Sequence, residues 1–295
     1  MKFKLSTGQK LLVLIAAILL ITGAGRLIFF QIRPFEVVQF GIDRLINSAG
    51  YEQDIRVACQ ADAAHWQNPN ISADMLNDLY ITAHYSKDGD RSGIDFSLNS
   101  SSTQETVISG RYYSDQTLSA LMINDKTFYS KSGKPPILSD GPAHGFDAYG
   151  PYVRYQPGGG AVLPVNDYGK PAYMVMDAFS LSLEGDTCAG LLNALISGAN
   201  NNNGIYAYAK DIPMDSVTSI NAVFQIDDFF KLRGIHAEIG LPQASIIADL
   251  NTARVGGKID LPVPDITNGT DISNFTKDEI GALFKELFDS LAGGK

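Results

Sequence analysis

The feature that most restricts the fold of this chain is an alternation of apolar and polar side chains through much of its first half. Apolar residues occupy every second position in residues 55–59, 79–85 and 94–98, and the turn-forming segment KDGDRSG precedes the last of these. A two-residue period is that of a strand with one buried face, and short polar turns join antiparallel neighbours. The alternation continues through TVISGRYY, TLSALMI and KTFYSK, where Asn124-Asp125 predicts a hairpin turn. The sequence therefore predicts an antiparallel meander of about six strands with one apolar face.

The second half of the chain adds further strands and a few helices. Alternation predicts strands in AYMVMDAFSLSL, SINAVFQI, ASIIADL and ARVGGKIDLPV. Helical spacing predicts an amphipathic helix in FEVVQFGIDRLINSAG, which Gly50 ends, and shorter helices in CAGLLNALISG and DDFFKL. Together these segments predict the α+β class, with an antiparallel sheet packed on a few helices.

The C-terminal segment TKDEIGALFKELFDSLAGG carries a helix start signal. Thr276 is followed three residues later by Glu279, the spacing of a capping box, and Gly293 ends the predicted helix. The helix carries an apolar stripe of Ile280, Leu283, Phe284, Leu287, Phe288 and Leu291. We therefore divide the chain into residues 1–33, a mainly β domain in 34–270, and a C-terminal amphipathic helix in 271–295.

Residues 140–170 interrupt the alternation. The segment is rich in Gly, Pro and Tyr and shows no clear period, and long loops of this kind are often functional. Tyr149, Tyr152 and Tyr155 argue against disorder, because disordered segments are depleted in aromatic residues. Two predictions stay open for this insertion: a lid over a cavity, or a decorative segment that packs on the sheet.

The N-terminal segment predicts a membrane anchor. Three lysines precede an uncharged run from Leu11 to Gly25, and apolar residues resume in Leu27–Phe30 after a single Arg26. Counted through Phe30, the segment has about the 20 residues that a spanning helix needs. A cleaved signal peptide is the alternative, with Thr22-Gly23-Ala24 at the cleavage site. We expect a single-pass protein of the cell membrane with most of the chain extracytoplasmic.

The charge of the chain restricts which molecules it can bind. The first 33 residues contain five of the 23 basic residues and no acid, so the rest of the chain is more acidic than the net charge of −9 indicates. Such a surface repels phosphate backbones, and we expect no nucleic-acid partner.

Cys59 and Cys188 either form a disulfide outside the cytoplasm or remain buried thiols. The four histidines lack metal-ligand spacing, so we predict no metal site and no cofactor.

Catalytic motifs are not found. The sequence has no G-x-S-x-G elbow, and neither cysteine has a local signature of a catalytic thiol. Asp227 and Asp228 are candidates for paired carboxylates, although adjacent acids at a helix start more commonly complement the helix dipole. We therefore predict no catalytic residues and no enzymatic activity.

The order of elements resembles the LolA/LppX-like lipoprotein carriers. FEVVQFGIDRLINSAG matches the first helix of that fold, MINDKTFYSKSG a hairpin in mid-sheet, and CAGLLNALISG the helix under the sheet. ASIIADLNTARVGGKIDLPVPDI resembles the closing strands. The resemblance implies a curved, half-barrel-like sheet around an apolar cavity for an acyl chain. The chain departs from the family in lacking an acylated cysteine, in its insertion and in its C-terminal helix.

Two functional hypotheses follow from these features. The first is a membrane-anchored extracytoplasmic binding protein that holds an apolar ligand, such as a lipid acyl chain, in a curved-sheet cavity. Its lining candidates are Met122, Phe128, Met174, Met176 and Phe224, because Met and Phe form adaptable apolar walls. The second is a cell-envelope interaction or structural module with a filled core and no ligand. Its contacts to a partner protein would come from the loop Tyr149–Tyr173 or from the C-terminal helix.

Overall fold

In a computed structural model of the chain, the alternating segments form one large, curved antiparallel sheet. The structure describes residues 26, 28–67, 72–131, 146–191, 217–276, 279, 282 and 283. The strands are β1 Gly50–Ala61, β2 Leu79–Asp88, β3 Arg91–Ser100, β4 Thr106–Ser114, β5 Ser119–Ile123, β6 Lys126–Ser130, β7 Val153–Gln156, β8 Val162–Val165, β9 Ala172–Glu184, β10 Ser219–Asp227, β11 Leu232–Leu241, β12 Ala244–Val255 and β13 Thr270–Asp271. The helices are α1 Pro34–Ile46 and α2 Ala73–Asp78, with 3-10 turns at Phe146–Tyr152 and Asp167–Gly169.

Two meanders share the sheet. Its strand order is β13-β6-β5-β4-β3-β2-β1-β12-β11-β10-β9-β7, and β8 pairs with β9 outside this path. Strands β1 to β6 pair in sequence order, which confirms the predicted six-stranded meander. Strands β9 to β12 form the second meander, and the antiparallel pair β1–β12 joins the two. The two-residue strand β13 pairs in parallel with β6.

The hairpin turn predicted at Asn124-Asp125 is confirmed. Ile123 lies opposite Lys126, so two residues make the turn, and Asn124 has a positive φ of 51°. Asn tolerates this left-handed conformation better than most residues, as two-residue hairpins require. The side-chain oxygen of Asn124 also accepts a hydrogen bond from the Ser109 N–H at 3.2 Å, which ties the turn to β4.

The sequence prediction is wrong around residues 227–241. DDFFKL is not a helix, because the Asp227 carboxylate accepts hydrogen bonds from the N–H groups of Phe229 and Lys231 and closes a hairpin turn. Strand β11, which follows, was not predicted, although Ile235, Ala237, Ile239 and Leu241 alternate. ARVGGKIDLPV is not a separate strand: its first residues end β12, and residues 258–266 have no regular structure.

Helix α1 confirms the predicted amphipathic helix and fills one side of the sheet, but it ends at Ile46, and Gly50 begins β1. Pro34 occupies its first turn, where the missing N–H costs nothing, and Asn47 caps its C-terminus. Val38 and Leu45 are buried in the main hydrophobic cluster, together with side chains from β1, β2, β7, β9, β10, β11 and β12. Gly41 permits close packing, because a Cβ atom there would lie 2.7 Å from the Ile226 side chain.

Residues 28–32 are helical and belong to the domain. Phe30 is 1% exposed and makes edge-on contacts with Tyr155, Phe179 and Phe230 at centroid distances of 5.3–5.8 Å. Such aromatic contacts stabilise a core beyond the area they bury. The prediction that Phe30 completes a membrane helix is therefore wrong, because this ring is a core residue.

The insertion packs on the sheet. It contributes β7 and β8, which both pair with β9, although the sequence shows no clear period there. At Gly160 the chain passes so close to β9 that a Cβ atom would lie 1.6 Å from the Met176 carbonyl oxygen. Only glycine fits such an approach. Of the two predictions for the described part of this insertion, the geometry agrees with packing on the sheet.

A buried ion network fixes the end of the insertion. Arg233 on β11 has no exposed side-chain surface and lies between two carboxylates, 2.8 Å from Asp227 and 2.9 Å from Asp167. Lys231 also donates to Asp167, and the Val255 N–H donates to the same side chain at 2.9 Å. The network therefore joins the turn after β8 to the β10–β11 hairpin and to the end of β12.

Several predictions concern residues outside the described part of the chain. These are the run Leu11–Gly25, the second half of CAGLLNALISG, and most of the C-terminal helix. The capping box itself is present: the Thr276 N–H donates to Glu279 at 2.7 Å, and the Glu279 N–H donates to the Thr276 hydroxyl at 3.3 Å. Within the described residues, no helix has the length and apolar character to cross a bilayer.

The ion network predicts a stability change in acid. Burial disfavours the Asp167 carboxylate, but hydrogen bonds from Arg233 and Lys231 outweigh it and lower its pKa from 3.8 to about 2. A lowered pKa stabilises the folded state above about pH 4, and this contribution is lost as the pH falls toward 2. We expect Asp167→Asn to remove about 2 kcal/mol of the pH-dependent change in unfolding free energy across that window.

The measurement is denaturant unfolding of the full chain in detergent micelles at closely spaced pH values. Asp125→Asn is the control, because it alters an exposed carboxyl group in the β5–β6 turn, outside the network. The same pH dependence in Asp167→Asn and the wild type would contradict the assignment.

Candidate functional site

A groove of about 610 Å³ opens on the polar face of the sheet. Its polar residues alternate along the strands with residues such as Tyr85 and Ile94, which pack against the hydrophobic core on the other face. The groove crosses β12, β1, β2 and β3, and its volume is within the range of known ligand sites. Its lining residues are Asp54, Ile55, Arg56, Thr82, Ala83, His84, Asp95, Phe96, Ser97, Asp249 and Asn251.

One row of ionic side chains crosses the groove at a single level of the sheet. Asp54, His84, Asp95 and Arg111 occupy directly opposite positions on β1, β2, β3 and β4. The Nδ1 atom of His84 lies 2.8 Å from Asp54, and Arg111 holds Asp95 with two nitrogens, Nη2 at 3.0 Å and Nε. Strand register therefore places the two carboxylates directly beside an imidazole and a guanidinium group.

A second row runs one pleat further along the strands. Asp249 on β12 lies between His236 and Arg56, which face it from β11 and β1. His236 Nδ1 is 2.7 Å from Asp249, while the Arg56 guanidinium stacks 4.4 Å from the Tyr80 ring centroid. Thr82 and Ser97 continue the row, with their hydroxyls 2.8 Å apart. This row adds neutral hydroxyls to the charged groups of the first.

The groove is built for hydrogen bonding. Both imidazoles turn Nδ1 to a carboxylate, and no described residue bonds to Nε2 of either ring. The Ser97 hydroxyl interacts with Thr82 and Asn99, so among the described residues it has no histidine base. No group of three potential metal ligands occurs in the described residues. The prediction that the chain is not an enzyme stays a prediction.

The five predicted lining residues do not come together. Met122 and Phe128 lie on β5 and β6, whereas Met176 and Phe224 lie on β9 and β10, with six strands between β5 and β10. Phe128, Met176 and Phe224 are buried, and Met174 is half-buried against Arg233, with its sulfur 4.0 Å from the guanidinium. None of the five lines the groove. Met122 comes nearest, since it lies opposite Arg111 in the sheet.

The three predicted loop tyrosines have different environments. Tyr149 and Tyr155 are partly buried against the hydrophobic core, and the Tyr155 hydroxyl donates to Asp177 at 3.0 Å. Burial and this hydrogen bond raise the pKa of Tyr155. Tyr152 is exposed. Two of the three thus anchor the insertion to the core.

The remaining candidates are structural. Cys59 is half-buried on β1, Cys188 is buried in the core, and both are free thiols. Burial raises the pKa of each thiol, which reduces its reactivity. Asp227 is buried beside Arg233, and Asp228 pairs with Arg26. Both acids therefore have structural partners, and their place in a hairpin turn overturns the alternative of a helix start.

Sequence reasoning missed the groove residues. Neither His84 nor the acids of β1, β3 and β12 belong to a local motif that would single them out in the sequence. A signal was available, because Asp54, Arg56, Thr82, His84, Asp95 and Ser97 all occupy polar positions of the alternation. Their neighbours across the sheet depend on register, which the alternation does not give.

The fold is a large antiparallel sheet with few helices, as predicted for the α+β class. No protein-family model and no curated protein matches the sequence. Among solved structures, the crystal structure of the Mycobacterium tuberculosis lipoprotein LppX is similar, with a TM-score of 0.37 and 10% sequence identity. The alignment covers 77% of this chain and 97% of that chain. The likeness concerns the fold alone.

The exposure of the groove predicts that its ion pairs contribute little to stability. The paired side chains of Asp54, His84, His236 and Asp249 are all more than 40% exposed. Exposed pairs of this kind contribute about 0–1 kcal/mol each. We expect Asp54→Asn/Asp249→Asn to unfold within about 2 kcal/mol of the wild type in denaturant. A much larger loss would show that the rows maintain the sheet and do not serve a ligand.

Proposed function

We propose that the chain is a non-catalytic, membrane-anchored extracytoplasmic binding protein whose ligand occupies the polar groove. The observation that carries this proposal is the pair of ionic rows across β12, β1, β2 and β3. Eight of the lining residues are polar and converge on one opening of about 610 Å³. A face that served only solubility would not need matched partners at two successive levels of the sheet.

The chemistry of the groove favours a hydroxyl-rich glycan. Asp54, Asp95 and Asp249 accept hydrogen bonds, and Arg56 donates them, so vicinal hydroxyls would find both kinds of partner. The three carboxylates each have a partner within the face: Asp54 with His84, Asp95 with Arg111, and Asp249 with His236. A polyanion such as nucleic acid would meet three carboxylates here and an acidic chain overall. An uncharged polar polymer avoids that repulsion.

The acyl-chain hypothesis has less support from the described residues. Its candidate residues separate into two groups on the sheet, and three of them pack as core. The apolar face of β9 to β12 is occupied by α1 and by Phe30. The proposal therefore keeps the predicted binding role and moves the ligand to the opposite face.

An interaction module is a second candidate because of the β8–β9 hairpin. Val162 lies opposite Val175 on its outer face, and Tyr173 follows on the same side. These three side chains are 61%, 61% and 80% exposed. Contiguous exposed apolar residues of this kind commonly mark protein contacts. Val162 and Tyr173 lie in the segment Tyr149–Tyr173 that the sequence predicted as a partner surface, and Val175 lies just beyond it.

The glycan proposal predicts loss of binding when the groove is neutralised. The purified full chain in detergent micelles would be applied to an array of cell-envelope oligosaccharides. We expect Arg56→Gln/Asp249→Asn to weaken binding at least about tenfold, since each lost charged hydrogen bond costs about 1.5–3 kcal/mol.

Asp62→Asn is the matched control for this test. It removes the carboxylate of another Asp–His pair, with His65 at 2.6 Å, that lies outside the groove. Equal binding by the groove variant and the wild type would refute the site. Native mass spectrometry of the extracted chain distinguishes the glycan proposal from the acyl-chain hypothesis. A co-purified lipid together with no glycan binding would refute the glycan proposal.

The interaction candidate predicts a loss of partners from the hairpin variant Tyr173→Ser/Val175→Ser. These point substitutions test the surface more specifically than a deletion of residues 140–170, because the deletion would also remove Asp167 and its ion network. The measurement is recovery of cross-linked envelope proteins with the tagged chain. Val107→Ser, which changes a 53% exposed residue on β4, is the control. The same recovered proteins with the hairpin variant and the wild type would count against this surface.

A further inference from the structure

Exposed apolar side chains gather at the end of the domain where the N-terminal segment joins it. Ile28, Phe29 and Ile32 on the first helical turns are 55%, 41% and 71% exposed. Phe40 on α1 and Phe229 in the β10–β11 turn are 50% and 58% exposed. Water contact at five large apolar side chains is unfavourable unless another surface covers them. We call these five residues the N-terminal apolar patch.

Contacts beneath the patch bring together the three elements that carry it. The Phe230 ring touches both Phe30 and Phe40, at centroid distances of 5.8 Å in each case. Its neighbour Phe229 presents its carbonyl oxygen to Arg44 of α1. The helical turn 28–32, α1 and the β10–β11 turn therefore meet around Phe230. The exposed residues of the patch lie on these three adjoining elements.

Charged groups hold the N-terminal chain at this surface. Arg26 pairs with Asp177 at 2.5 Å and with Asp228 in the β10–β11 turn. Its guanidinium also stacks on the Phe30 ring, 4.9 Å from the centroid. The uncharged run Leu11–Gly25 ends directly before Arg26. The most apolar stretch of the sequence is therefore attached beside the patch.

We propose that the N-terminal apolar patch lies in the interface of the lipid bilayer. Aromatic side chains and arginines are typical of that layer, where rings bury their apolar parts and cations meet headgroups. Arg44, stacked 5.5 Å from the Phe40 centroid, and Arg33 supply cations at the rim. Two of the acids there are paired, Asp228 with Arg26 and Glu36 with Arg33. This inference rests on the membrane anchoring proposed above, because the anchor Leu11–Gly25 would bring the patch to the membrane.

This arrangement fixes how the domain stands on the membrane. The β10–β11 turn and α1 would touch the bilayer, and the groove strands β1, β2 and β3 would lie further along the sheet. The groove would then face the envelope and not the lipid. The adjoining apolar run favours a lipid surface as the partner of the patch. A second copy of the chain could bind the patch only if the patch were not in contact with the bilayer.

The test uses tryptophan fluorescence, because Trp66 is the only tryptophan in the sequence. In a Trp66→Phe background, single tryptophans are placed by Phe29→Trp and by Phe229→Trp. The full chain is reconstituted in phosphatidylcholine–phosphatidylglycerol vesicles that carry brominated acyl chains. We expect both patch tryptophans to be blue-shifted and to lose at least about half of their emission to bromine near the headgroups.

Two further single-tryptophan variants separate the possible outcomes. Val107→Trp on β4, six strands from β10, should not be quenched. Leu19→Trp reports the apolar run itself. Quenching at Leu19→Trp without quenching at the patch would overturn this inference and leave the anchoring intact. Quenching at the patch without quenching at Leu19→Trp would support the patch and overturn the anchoring. A blue shift at the patch without bromine quenching would indicate a protein partner and would overturn the inference.

Exposed positions were chosen so that the variants fold. Substitutions at exposed sites usually change stability by no more than about 0.5 kcal/mol. Denaturant unfolding of each variant checks this expectation. Should Phe29→Trp unfold, Ile32→Trp occupies the most exposed position of the patch, at 71%, and carries the same test.

Discussion

The buried guanidinium of Arg233 is the constraint on which much of the second meander depends. A cation without solvent contact is tolerated only when carboxylates surround it, because desolvation alone would cost several kcal/mol. The carboxylates of Asp227 and Asp167 both form ion pairs with this guanidinium. Asp227 also closes the β10–β11 turn, and Asp167 also accepts from Val255 at the end of β12. One ionic cluster thus sets the turn, the strand end and the place of the insertion.

Because side chains alternate along each strand, one face of the sheet is apolar and covered, and the other is polar and open. On one face, α1 and Phe30 cover the strands and form the hydrophobic cluster. On the other, strands β12, β1, β2 and β3 present ionic rows around an open groove. A ligand on the polar face leaves the core intact, so binding and stability can be altered separately. The exposed ion pairs contribute little to stability, whereas removal of one partner of Arg233 would leave a buried charge uncompensated and destabilise the fold.

Local patterns predicted those elements whose signals lie within a few residues. The first meander, the Asn124-Asp125 turn, α1 and the Thr276–Glu279 capping box all follow from period, turn chemistry or cap spacing. The prediction failed where distant residues decide. DDFFKL has helix-compatible residues, yet the Asp227 carboxylate is held by Arg233 and closes a turn. The insertion showed no period because β7 and β8 are short and owe their place to β9.

The sequence by itself determined which side chains are polar and which are apolar on each strand, because the pleat alternates whatever the neighbours are. It also determined the acidic character of the chain and the apolar run before Arg26. Only the tertiary structure decided that His84 lies between Asp54 and Asp95, and that Phe30 is a core residue. Strand register and helix docking bring together residues far apart in the chain. No local period encodes which residues become neighbours, so the site and the buried ion network appear only in three dimensions.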